Sequence, residues 1–386
     1  MPPPSRLLRR GLLLAAIVAA LVSGCARKRP VVEAWAAIPL GTDAQVSDIW
    51  FADSLNGWLV GGSYRIPGGL IGRTHDGGRT WTFQSGLVTP DPGASGFDFI
   101  TVRFLNPRRG LVAGNAGKVF VTDDGGDHWH LTRYGRGLTD HLFAFDFLDS
   151  DDGWAAGLSG VIRTRDGGEN WEDVSRGVSD VSPPMGTGLH VFDGRNAILV
   201  TQDGRIMRSV DSGATWTALA TPIAAGEHPR FYDLCFPDPL HGWAVGEEGT
   251  VLHTIDGGGW WTREETGVQG ARSHPVKETI QRRAGVVDTF DLGGRTPGLT
   301  LTRVRFVNDQ RGWMTGHFGY EGRSIVLGTS DGGATWRIER EITGQELRAL
   351  FVLDAEHAWA VGGRSRPGEQ VLLRLTPASI VAARAP

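Results

Sequence analysis

One eight-residue pattern recurs six times in this chain and leaves very few folds open. In its fullest form it reads Ser/Thr-x-Asp-x-Gly-x-Thr-Trp, as in Thr74-His75-Asp76-Gly77-Gly78-Arg79-Thr80-Trp81. It returns at Thr122–Trp129, Thr164–Trp171, Ser209–Trp216, Thr254–Trp261 and Thr329–Trp336. The Asp and the Trp are five residues apart in every copy, and successive Trp residues are 48, 42, 45, 45 and 75 apart. A fixed period of that length marks a chain built from stacked supersecondary units. The last gap is one period plus about 30 residues, which places an insertion at about 266–300.

A second element precedes each box. A short apolar run ends in Phe, passes an Asp or Asn turn, and resumes at Gly-Trp, as in Phe51-Ala52-Asp53 leading to Gly57-Trp58. The same series runs from Phe147 to Trp154, from Phe236 to Trp243 and from Phe306 to Trp313. The copy near Gly110-Leu111 is weaker, and the one at Val191–Val200 lacks the Trp. A seventh copy, Phe351 to Trp359, is followed by Val371–Leu375 but by no box. Each unit therefore supplies four short strands; in the first they fall near 46–51, 57–61, 70–74 and 80–84. Close turn signals between β-branched and aromatic runs argue an all-β chain. Four strands per unit of about 45 residues are propeller blades. The expected fold is a seven-bladed β-propeller with four-stranded antiparallel blades. The segment 31–36, with Trp35, is expected to supply the missing outer strand of the last blade, so that the ring closes without an open edge.

The box residues have a local role. An Asp carboxylate accepts N–H groups of its own turn, glycine takes positive φ freely, and the Trp packs as a large spacer between sheets. Asp76, Trp81, Asp124, Trp129, Asp166, Trp171, Asp211, Trp216, Asp256, Trp261, Asp331 and Trp336 are accordingly read as structural.

The beginning of the chain reads as an address. Arg6, Arg9 and Arg10 precede an apolar run, Gly11–Val22, too short to span a bilayer comfortably. The run ends in Leu21-Val22-Ser23-Gly24-Cys25, which resembles a bacterial lipobox. Residues 1–24 are then a signal peptide, Cys25 is the acylated residue, and 25–30 is a basic tether. The propeller occupies 31–376 and a tail 377–386. The expected location is outside the cytoplasm, lipid-anchored, facing the periplasm or a thylakoid lumen. Cys235 is the only other cysteine, so a disulfide framework and a Cys-based metal site are both ruled out. The formal net charge of −4 gives no global field for nucleic acid.

The longer consensus narrows the family. Phe236, Asp238, Gly242-Trp243-Ala244-Val245-Gly246, Gly249, Val251, Thr254 and Asp256-Gly257-Gly258 show it well. This pattern resembles the photosystem II stability/assembly factors, within the wider neuraminidase-type repeat. The resemblance implies a non-enzymatic monomer that needs no cofactor or metal. It implies binding of membrane-protein assembly intermediates, notably a D1-type reaction-centre protein, through an arginine-rich face. The alternative is a periplasmic or surface lipoprotein that binds a protein or glycan ligand in a non-photosynthetic bacterium.

Propeller topology puts the boxes and the first turns on one face, and the remaining loops on the other. Length variation falls on the second face, at 63–68, 317–323 and 363–367 and in the insertion, which carries Arg272, His274, Lys277, Arg282, Arg283 and Arg295. Binding usually resides in variable loops on a rigid scaffold. The innermost strands add a second cluster. Asp48, Thr101, Asp233, Arg303 and Arg348 stand three residues before their Phe, and Arg103 and Arg305 directly before theirs. They line the channel either as a binding surface or as Arg–Asp pairs. Candidate partner-binding residues are Arg65, Arg103, Arg303, Arg305, Arg323, Arg348, Arg364 and Arg366.

A glycosidase or sialidase is the remote reading. Tyr64-Arg65-Ile66-Pro67 resembles a sialidase motif, but it lies inside the first blade. The four Tyr residues, at 64, 134, 232 and 320, cannot be placed in a sialidase constellation. A glycosidase requires a carboxylate pair across a cleft, and Asp149, Asp151 and Asp152 read as turn residues.

Overall fold

The computed structural model describes residues 35–63, 66–85, 98–133, 135, 140–175, 185–268, 274–281, 287–296, 298–319, 322–363 and 370–375. Seven four-stranded antiparallel sheets stand around a common axis. Their innermost strands are Gln45–Phe51, Phe99–Phe104, Leu142–Phe147, Gly186–Val191, Phe231–Cys235, Leu299–Phe306 and Glu346–Val352, which number blades 1 to 7. Each inner strand touches the next, and the last touches the first, so the ring is closed. The seventh sheet takes its outer strand from the other end of the chain. Trp35–Pro39 pairs with Gln370–Leu375, with Trp35 opposite Leu375. Among the described residues, no helix is long and apolar enough to cross a membrane.

The repeat residues explain the joints between blades. The Gly of each Gly-Trp pair has no room for a side chain; a Cβ on Gly57 would meet the Phe51 ring at 2.5 Å, while blade 7 carries Ala358 at this place, before Trp359. The Trp that follows reaches the next blade. Trp58 stacks on Phe104 at 3.6 Å, Trp243 on Phe306 at 3.6 Å, and Trp359 on Phe51 at 3.7 Å. The Trp58 and Trp359 indoles also donate to the next box, at the carbonyls of Gly125 and Gly77, both at 3.0 Å. All three of these Trp side chains are almost fully buried. Removing one would cost about 3–5 kcal/mol.

Each box works as a closed circuit. In blade 1 the Asp76 carboxylate accepts the N–H of Arg79 and of Thr80, both at 2.9 Å, and the Thr74 and Thr80 hydroxyls at 2.9 and 2.7 Å. Thr74 in turn accepts the N–H of Gly78 at 3.0 Å, and Gly77 and Gly78 both hold positive φ. A second acceptor sits in every first turn. Asp53, Asn106, Asp149, Asp193, Asp238, Asn308 and Asp354 each accept two backbone N–H groups at 2.7–2.9 Å.

The insertion between blades 5 and 6 contains a hairpin of its own. His274–Gln281 pairs with Val287–Thr296 as a separate two-stranded sheet. It follows the outer strand of blade 5, so it lies where the connection to the next inner strand begins.

Candidate functional site: the central channel

Two rings of side chains line the channel, and strand register defines both. The first ring consists of the residues opposite the Gly-Trp Trp or its counterpart: Trp50, Arg103, Asp146, His190, Cys235, Arg305 and Phe351. The second lies two residues earlier and includes Asp48, Thr101, Asp233 and Arg303. Between them they line a cavity of about 890 Å³. Its wall continues to Ala52, Asn106, Pro107 and Leu353 in the first turns, so it opens on the box face.

The carboxylates of these rings join one blade to the next. Asp48 of blade 1 accepts the Val102 N–H of blade 2 at 3.0 Å and the Thr101 hydroxyl at 3.1 Å. Asp146 of blade 3 accepts the Val191 N–H of blade 4 at 2.8 Å, and Asp233 of blade 5 accepts the Val304 N–H of blade 6 at 3.0 Å. Cations sit beside them. Arg305 pairs with Asp233. Asp146 lies 3.7 Å from Arg103 and 3.0 Å from the His190 ring. The Arg103 guanidinium lies over the Trp50 ring, 4.2 Å from its centroid, a favourable placement for a cation on an aromatic face.

These environments separate the acids. Burial raises the Asp48 carboxyl above its usual range, and the Arg303 charge and backbone donors do not offset it. Burial also works against ionised Asp146, but the His190 hydrogen bond and the Arg103 charge outweigh it and leave the group below its usual range. Burial lowers Arg103. Burial works against charged Arg305, but the Asp233 and Asp48 charges and the Asp233 hydrogen bond act with the other raising causes to outweigh it and leave the group raised. Burial pushes the Cys235 thiol up to about 11, so it stays protonated and is a poor nucleophile.

The expected arginines divide into four groups. Arg103, Arg303 and Arg305 meet in the channel wall. Arg323 begins the third strand of blade 6, lies 4.4 Å over the Phe318 ring, and is 3.7 Å from Glu341. Arg65, Arg364 and Arg366, with Cys25 and residues 1–34, lie outside the described residues, as do Arg272, Arg282 and Arg283. Arg348 corrects the expected register. Ala349, not Arg348, stands opposite Val361 as Asp48 stands opposite Val60; Arg348 falls in the bulge between Leu347 and Ala349. It pairs with Glu346 at 3.1 Å and lies outside the channel lining. The cause is that Val352, not Phe351, occupies the anchor position of blade 7. Asp354 follows Val352 by two residues, as Asp53 follows Phe51, and that spacing was the available signal.

Asp146 and His190 belong to the ring although sequence reading passed over them. Both stand directly before an anchor residue, as Arg103 and Arg305 do. A further acidic group, Asp123, His130 and Glu169, has ligand atoms within 4.8 Å of one another. Arg109 sits between its two carboxylates, 2.6 Å from Asp123 and 2.9 Å from Glu169, which makes it an ion-pair cluster.

Comparison with known proteins agrees with this construction. Residues 95–228, the span of blades 2 to 4, match the family described as photosynthesis system II assembly factor Ycf48. The photosystem II assembly lipoprotein Ycf48 of Synechococcus sp. (strain CC9902) is 32% identical over 165 residues, 42% of this chain and 47% of that protein. The chain thus matches about half the length of that curated relative. The solved Ycf48 of Cyanidioschyzon merolae superposes with a TM-score of 0.62 at 20% identity, over 89% of this chain and 99% of the other. A structure described as Ycf48 bound to D1 peptide gives 0.61 at 18% identity, over 89% and 96%. By sequence through blades 2 to 4 this chain is similar to the photosystem II assembly factors, and its fold is similar to theirs over 89% of its length.

Proposed function

We propose that the chain is a non-enzymatic, membrane-tethered binding factor for assembly intermediates of a photosystem II type reaction centre. The observation that carries this reading is the family match through blades 2 to 4, on a propeller that resembles the solved relatives from end to end. A D1-like segment is the proposed partner. Acylation of Cys25 is the proposed tether, in keeping with the relatives that are named lipoproteins. The chain then works outside the cytoplasm as a monomer, at the periplasmic or lumenal surface.

The channel chemistry supports binding over turnover. Asp146 and Asp233 are each committed to a neighbouring blade's N–H and to a cation. An acid engaged in that way is not free to move protons to a substrate. Arg103 and Arg303 suit an anionic segment at the channel mouth. Titrating a fluorescent D1 peptide into the full chain tests this reading. Arg103→Gln with Arg303→Gln is expected to weaken binding roughly tenfold or more, and added salt to weaken the wild type further. Equal affinity of the wild type and the double variant would remove the channel arginines from the site. Hydrolysis of a fluorogenic oligosaccharide by the purified chain would overturn the non-enzymatic reading.

A further inference from the structure

The sixfold repeat allows each departure from it to be measured against five controls. The residue before the box Trp is Thr80, His128, Asn170, Thr215 or Thr335 in five boxes. Each of these side chains bonds the second oxygen of its box Asp, at 2.5–2.7 Å. In blade 5 the residue is Trp260. It gives Asp256 only its backbone N–H, at 2.9 Å, and its indole is 68% exposed. Two boxes also carry an apolar residue directly before the Asp: Val210 in blade 4 and Ile255 in blade 5, 56% and 67% exposed.

These departures fall together. The Gly257 N–H bonds the Leu240 carbonyl at 2.8 Å, which holds exposed Leu240 against the blade 5 box. Arg208 reaches the Gly257 carbonyl at 3.3 Å and brings the strand end that carries Val210 to the same box. Nine large apolar side chains are exposed among the described residues, and seven are in turns of the box face; Leu55, Leu148 and Leu353 complete the set. Exposed apolar groups gathered on one face mark an interaction surface.

The path of the chain says what covers it. Trp35 pairs with Leu375, where the third strand of blade 7 ends, so the N-terminal segment enters the propeller on the box side. Ten residue steps separate Cys25 from Trp35, a span of at most about 35 Å. An acyl chain on Cys25 therefore holds the box face near the bilayer to which it is anchored.

We infer that the box face at blades 4 and 5 docks on that bilayer, with Trp260, Ile255, Leu240 and Val210 at the headgroup level. Trp belongs at that depth because its ring is amphipathic. The box and first-turn carboxylates make this face acidic, so the lipid it fits has uncharged headgroups; an anionic surface would repel it. The inference rests on the anchored reading above.

The test uses the full acylated chain on phosphatidylcholine vesicles that contain brominated lipid. Wild-type tryptophan fluorescence is expected to be quenched. Trp260→Thr, which restores the residue of three other boxes, is expected to lose that quenching while still sedimenting with the vesicles. Ile255→Ser, the residue of the blade 6 box, is expected to reduce it. Replacing part of the lipid with an anionic one is expected to weaken it. A chain that anchors but shows equal quenching in wild type and Trp260→Thr, or none, overturns the docking alone. A chain that does not sediment overturns the anchor and the docking with it. Shielding of Trp260 from acrylamide that rises with protein density, without bromolipid quenching, identifies a second copy as the occupant and also overturns it.

Discussion

The same residue type does two different jobs on the box face and in the channel. A box aspartate is exposed or half-buried, sits in a turn a few residues long, and finds all its donors there. A channel aspartate lies on an inner strand and finds its donor on the next blade, 45 to 71 residues away in sequence. The first kind fixes the shape of one turn. The second kind fixes the spacing of two sheets; neighbouring donors and charges offset burial at Asp146 but not at Asp48. Local circuits of the first kind tolerate loss one at a time, whereas inter-blade links share consequences around a closed ring.

The largest expected effect comes from breaking a channel link. Asp233→Ala removes the acceptor of the Val304 N–H and strands Arg305. It should destabilise the protein by roughly 2–3 kcal/mol, below the range for one partner of a fully buried pair because the Arg305 side chain is 34% exposed. Thermal unfolding of Asp233→Ala, Arg305→Ala and the double variant gives the coupling, and a loss below about 1 kcal/mol would place the pair with exposed ion pairs. For the same reason, Arg305→Ala is not a neutral probe of partner binding.

A box variant should cost less. Asp76→Ala deprives the Arg79 and Thr80 N–H groups of their acceptor in an exposed turn where water replaces it. The expected loss is about 1–2 kcal/mol. A loss as large as that of Asp233→Ala would erase the distinction between the two kinds of aspartate.

Acid should separate them by sign. Burial works against ionised Asp76, but its turn donors together outweigh it and hold the group down to about 2. Its contribution is complete above the ordinary carboxylate range near ~4 and disappears as pH falls from there through about 2. Asp48 is raised, so its ionised form costs stability at neutral pH, and protonation relieves that cost as pH falls towards the raised value. The difference in midpoint between wild type and Asp48→Asn should therefore narrow on mild acidification. The difference for Asp76→Asn should hold until the carboxylate range is reached.

The smallest effect sharpens the comparison within the boxes. Trp260→Thr supplies the missing side-chain donor to Asp256 and should stabilise the chain by about 0.5–1 kcal/mol. A destabilised variant would show that the indole supports the fold and is not held out for contact.

The fold was legible because its determinants are local. Six boxes, each a turn closed on its own Asp, announce six blades, and Trp35 announces the strand that completes the seventh. The channel was half legible. Arg103, Arg305, Asp48 and Asp233 stood out as charges in apolar strands, and two readings were left for them, a binding surface or Arg–Asp pairing. The observed contacts include the pairing of Arg305 with Asp233 and of Arg103 with Asp146. Arg348 was misplaced because a bulge shifts register by one residue and an adjacent Phe imitated the anchor. Trp260 went unremarked for a different reason: beside Trp261 it reads as one more apolar residue, and only the geometry of five other boxes shows that its side chain has left the turn.

Closure by Trp35–Pro39 has a consequence for how the protein is made. The strand that seals the ring is the first of the described strands to emerge, and its partner, Gln370–Leu375, is the last. Blades 1 to 6 form from neighbouring segments and are free to assemble in order, since local contacts form fast. The seventh blade waits for both ends. Until synthesis finishes, Trp35 has no Leu375 to pair with and two sheet edges remain open. A chain stopped late in synthesis would therefore leave a nearly complete but unsealed propeller, exposed to proteolysis and to pairing with other strands.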